Sequence, residues 1–74
     1  MNDALVKATA LLAEALMVKP TEINSETALG YTPQWDSLAH MRLILALEEH
    51  MGSHLPPEAI ISIANLKDIC ALLD

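Results

Sequence analysis

Three features of this sequence predict an all-α fold, a small four-helix bundle of three longer helices and one short helix with a long loop between helices 1 and 2. Apolar residues recur three and four apart along the opening, middle and closing stretches. Proline and glycine fall between those stretches, not within them. No stretch alternates apolar and polar residues as a half-buried strand would. The 74 residues make one domain, 1–74, near the size at which a single core leaves only about 3–5 kcal/mol of net stability.

The first helix is expected over Ala4 to Val18, with Asn2 or Asp3 as its N-cap. Leu5, Ala8, Leu12, Ala15 and Leu16 recur at helical spacing, Leu11 and Met17 lie at the edges, and Pro20 stops the helix. Residues 19–35 contain Pro20, Asn24, Ser25, Gly30 and Pro33 and hold no period, so they form the long loop. A structureless connection of that length is uncommon in so small a domain. Ile23, Leu29, Tyr31 or Trp35 is therefore expected to pin it to the core, with a short turn after Pro20; the alternative is a mobile loop. For Trp35, a large side chain that is usually buried, the role of loop anchor is the simplest one.

The second helix should begin at Asp36 or Ser37 and run about four turns, because nothing interrupts the chain until Gly52. Ser37 is then a helix-start serine. Its hydroxyl can cap a backbone N–H, but unpaired N–H groups and the positive end of the helix dipole also collect there, and these suit a phosphate. At 100° per residue, Ala39, Leu43, Ala46 and Leu47 share one face, whereas Leu38, Met41 and Leu45 point the other way, among Arg42, Glu48 and Glu49. Either the second set is an exposed patch beside Ser37, of the kind that marks partner surfaces when rimmed by charge, or both faces are buried in the bundle.

Beyond Gly52, Pro57 suits the first position of a short helix, Glu58 to about Ile63. Asn65 reads as the cap of a last helix, Leu66 to Leu73, with Asp68 at its positive end and Leu66, Ile69, Cys70 and Leu73 as its apolar stripe. Leu12, Leu43, Leu47, Ile60 and Ile69 are the expected core.

Four Lys and Arg against ten Asp and Glu give a net charge of −6, which argues against binding a nucleic-acid backbone and for steering by basic protein partners. The single cysteine forms no internal disulfide, and no secretory signal, long apolar span or lipidation motif is visible, so a cytoplasmic setting without membrane contact is expected. His50 and His54 are four apart, but Gly52 interrupts the helix that would align them, and His40 lies far back along it; no metal site is expected. Nothing basic beside Cys70 points to an activated thiolate.

Taken together, a first helix, a long loop, Asp36-Ser37-Leu38 at the start of the second helix, Ala46-Leu47-Glu48-Glu49 late in it, Leu55-Pro56 after it and a short helix before the last make the chain resemble the acyl carrier proteins of the phosphopantetheine-attachment family. The resemblance implies that Ser37 is the attachment serine, joined through a phosphodiester to 4′-phosphopantetheine, whose thiol holds an acyl or aminoacyl group as a thioester. It also implies that Asp36 helps orient the modifying enzyme at the serine. Leu38, Met41, Arg42, Leu45, Glu48 and Glu49 would form the partner surface. The implied partners of this non-catalytic monomer are a phosphopantetheinyl transferase, an acyl- or aminoacyl-loading ligase and downstream synthase enzymes of fatty-acid, polyketide, nonribosomal-peptide or related biosynthesis. Gln34 stands where fatty-acid carriers commonly have glycine, and Ala39 and Arg42 where they commonly have acids, which points to a dedicated pathway or a single ligase. The competing readings are an unmodified helical adaptor that binds through Leu38, Met41 and Leu45 and, more remotely, an enzyme pairing Ser37 with a histidine.

Overall fold

A computed structural model describes residues 3–73. Among them, helices α1 (Asp3–Leu16), α2 (Ser37–Met51), α3 (Pro57–Ser62) and α4 (Leu66–Leu73) follow one another, with one 3-10 turn over Pro20–Glu22 in the long loop. The all-α class and the long first connection are as expected. Asn2, one of the two expected caps of α1, lies outside the described residues, and Asp3 stands inside the first turn.

The first helix lies against both α2 and α4. Its buried face is Ala4, Ala8, Leu12, Ala13, Ala15 and Leu16, so alanines let the neighbouring helices approach. Leu5, expected inward, is exposed; Ala4, one helical step away, takes the inward position. The helix also ends two residues before Val18. Val18 N–H donates to the Ala13 carbonyl (3.0 Å) and Met17 N–H to that of Glu14 (3.2 Å), while Met17 turns left-handed at φ 60°. These paired bonds are the usual way a helix stops by reversing its backbone. They leave the Ala15 carbonyl to an outside donor, which is Arg42 Nε of α2 at 2.9 Å.

The long loop is ordered by short-range bonds and by its side chains. Lys19 N–H donates to Glu22 Oε2 (2.9 Å) across the 3-10 turn, Glu26 N–H to Asn24 Oδ1 (2.8 Å), and Ala28 N–H to Thr32 Oγ1 (3.0 Å). Trp35 is 1% exposed and Ile23 and Leu29 are half-buried against the core, whereas Tyr31 points outward and anchors nothing. An isolated antiparallel bridge joins Ala28 to Asn65, with Leu29 N–H on the Ala64 carbonyl (2.8 Å), so the loop is fastened to the start of α4. That start is doubly capped. Asp68 N–H donates to Asn65 Oδ1 and Ala64 N–H to Asp68 Oδ2, both at 2.9 Å.

At the far end of α2, Gly52 takes φ 72° and its N–H bonds the Glu48 carbonyl (2.8 Å), a reversal that favours glycine because no Cβ opposes it. Pro57 opens α3, where its missing N–H costs nothing. No residue of α3 is fully buried: Ile60, expected in the core, is only half-covered, and Ile63 just past the helix fills the core instead. The other four expected core residues, Leu12, Leu43, Leu47 and Ile69, are completely buried.

Candidate functional site

The start of α2 is built by Asp36. Its extended backbone (φ −102°, ψ −172°) halts the loop, its Oδ1 accepts from Ala39 N–H (2.8 Å), and its carbonyl accepts from His40 N–H (2.9 Å). The cap expected of either residue therefore belongs to the aspartate. Ser37 is the first helical residue, exposed, and its hydroxyl enters no hydrogen bond within the described residues. The N–H groups of Ser37 and Leu38 likewise have no acceptor among the described residues, as is normal for the first turn of a helix. A phosphoryl group on Ser37 Oγ would lie at the positive end of α2 with these two donors nearby, so the residues fit such a group. Among the described residues, no side chain hydrogen-bonds the serine hydroxyl as a base would.

Behind the serine lies an arrangement that the sequence reading missed. His40, placed there only as a distant histidine, is 9% exposed and bonded at both ring nitrogens. Trp35 Nε1 lies 3.0 Å from His40 Nδ1, and His40 Nε2 lies 3.0 Å from the Ile60 carbonyl of α3. The two rings stack with centroids 6.0 Å apart. An indole N–H only donates and a carbonyl only accepts, so Nδ1 is the acceptor, and the Nε2–H of a neutral imidazole points at Ile60. The nearest signal in the sequence is a tryptophan that, once buried, needs an acceptor for its N–H, and it does not single out His40.

The two faces of α2 divide as the periodicity implies. Ala39, Leu43 and Leu47 are fully buried with Ile44, and Ala46 is half-buried. Leu38, Met41 and Leu45 are 71%, 51% and 62% exposed, so they form an outer apolar strip leading away from Ser37 and do not enter the core. Glu49 is exposed beside the end of that strip. Two residues placed with them have work inside the fold. Arg42 holds the end of α1, and Glu48 is largely covered, its Oε2 accepting Leu55 N–H (2.8 Å) and its Oε1 lying 3.5 Å from His54 Nδ1. Ala39 is sealed in the core, whereas Arg42 lies on the surface. His50 ends up in α2 and His54 beyond Gly52. Cys70 is half-buried on α4.

Residues 7–73 match the family model of the phosphopantetheine attachment site. The chain is also similar to an acyl carrier protein of Thermosynechococcus vestitus, with 31% identity over 68 residues that cover 92% of this chain and 84% of that protein.

Proposed function

We propose, on the premise that this chain belongs to the phosphopantetheine-attachment family of acyl carrier proteins, that Ser37 bears the prosthetic group and that the outer face of α2 presents it to partner enzymes. A member of that family is a carrier with covalently bound 4′-phosphopantetheine, whose thiol supplies thioester chemistry. The observation that carries the assignment to Ser37 is its setting. It is the exposed serine at the N-terminus of a long helix, after an aspartate cap and beside free N–H donors and an open apolar strip.

Ser37 Oγ gives its proton to a base on the modifying transferase, because a serine needs one to act as a nucleophile and this chain offers none at the hydroxyl. The oxygen forms a P–O bond to the pantetheine-bearing phosphorus of coenzyme A, and the pyrophosphate bond breaks with release of adenosine 3′,5′-bisphosphate. Asp36 would hold the helix start in place during this exchange, and the Ser37 and Leu38 N–H groups would be donors available to a phosphodiester on Oγ. Leu38, Met41 and Leu45 then contribute apolar contact to the transferase, to a ligase that loads an acyl or aminoacyl group, and to downstream synthases. Glu49 and the net charge of −6 steer basic surfaces toward the site. Arg42 disfavours partners built for carboxylates at that position, which supports a dedicated pathway.

The test is intact-mass spectrometry after incubation with coenzyme A and a broad-specificity phosphopantetheinyl transferase. The parent chain gains the mass of one phosphopantetheine, and Ser37→Ala, still helical, gains none. A mass gain persisting in Ser37→Ala would overturn the assignment. An unmodified parent would favour an adaptor that uses the same strip without a prosthetic group.

A further inference from the structure

We propose that His40 is a positioning residue for the modification of Ser37, locking the segment before the serine and α3 into one fixed relation with the start of α2. The inference rests on the reading of Ser37 given above. The indole-to-imidazole bond closes a ring across residues 35 to 40, and Asp36 and Ser37 lie on that ring. Inside it, Asp36 is tied to Ala39 by its side chain and to His40 by its carbonyl. The chain is thus held on both sides of the serine, two residues before it and three after it. The other nitrogen of the same imidazole holds the Ile60 carbonyl, in a six-residue helix that buries no side chain fully. One side chain therefore ties α3 to the segment that carries Ser37, beside the packing of Ile60 and Ile63 on the core.

Packing alone does not account for histidine here. The neighbouring inward positions are Ala39, Leu43, Ile44 and Leu47, and a leucine would fill the space without a polar group to desolvate. What a leucine lacks is an acceptor for the buried Trp35 N–H and a donor for the Ile60 carbonyl, both of which histidine supplies in a single tautomer. Because the transferase must bring its own base and phosphoryl donor to Oγ, the rate depends on meeting a preformed surface in which α2, the loop and α3 keep one geometry.

The experiment compares transferase-catalysed modification of the parent chain, His40→Leu, Trp35→Phe and His40→Gln, read by intact mass at varied carrier concentration, with helicity checked by circular dichroism. His40→Leu and Trp35→Phe remain helical but lose about tenfold in kcat/KM, the size expected for one or two neutral hydrogen bonds, with most of the loss in KM. His40→Gln, whose amide both accepts and donates, regains most of it. A folded His40→Leu and Trp35→Phe with parental kcat/KM would overturn the proposal, as would a glutamine variant as slow as the leucine one. If His40→Leu fails to fold, Trp35→Phe, which removes the donor and part of the ring volume but keeps His40 and its bond to Ile60, decides in the same two directions. Failure of the parent chain to be modified would strike the assignment of Ser37; equal rates among modified variants would strike only the role of His40.

Discussion

Met17 ends α1 at φ 60°, where a side chain crowds the following carbonyl, and the residue is 79% exposed with no burial to offset that crowding. Glycine suits this position as Gly52 suits the end of α2. Met17→Gly is expected to raise stability by about 0.5–1 kcal/mol, the relief of strain outweighing the extra freedom of glycine in the unfolded chain. In a domain of this size that is a rise in Tm of roughly 3–6 °C by thermal melting. A lower Tm would show that the methionine side chain contributes packing that its exposure conceals. The same corner explains why the end of α1 was misplaced from sequence. The Ala15 carbonyl in its last turn is satisfied by Arg42, 27 residues away, and no local pattern encodes that contact.

Among the elements, α2 carries the sharpest contrast, since one helix serves both the core and the outside. Leu47→Ala removes a completely buried side chain and should cost about 2–5 kcal/mol, a large share of the whole stability. Leu45→Ala, on the 62% exposed strip, should stay within about 0.5 kcal/mol of the parent yet impair loading by the cognate ligase. Chemical denaturation and loading rates at matched holo content check the pair. Equal melting of the two variants would mean that the inward face is misassigned, and an unimpaired Leu45→Ala would remove the strip from the docking surface. Elements with locally written ends were legible in advance. Helix α4 runs from Leu66 to Leu73 as expected because Asn65 and Asp68 encode its cap within three residues. Helix α3 was legible through Pro57 but its burial was not, because whether Ile60 or Ile63 faces the core depends on how α3 meets α2. The clamp at His40 was invisible for the same reason. Its partners lie five residues back and 20 residues on, and nothing in a helical pattern says that a tryptophan and a carbonyl will converge on one imidazole.

At the scale of the whole molecule, ten acidic and four basic residues act on partners as a field, beyond any single contact. Raising salt from about 0.05 M to about 0.5 M shortens the reach of that field roughly threefold, to about 4 Å. Modification by a transferase with a basic docking surface should therefore slow through KM, with kcat little changed. Steady-state kinetics across that range checks this, and a KM indifferent to salt would assign docking to the apolar strip alone.

The burial of Trp35 has an optical consequence. The chain has one tryptophan, so the indole emission on selective excitation arises at a single point, where the long loop, α2 and α3 converge. In the folded protein that ring is shielded from water and stacked on an imidazole. Unfolding moves it into solvent and away from His40, shifting its emission to the red and changing its intensity together. The domain thus contains its own fluorophore, able to register the docking of three segments without any added label.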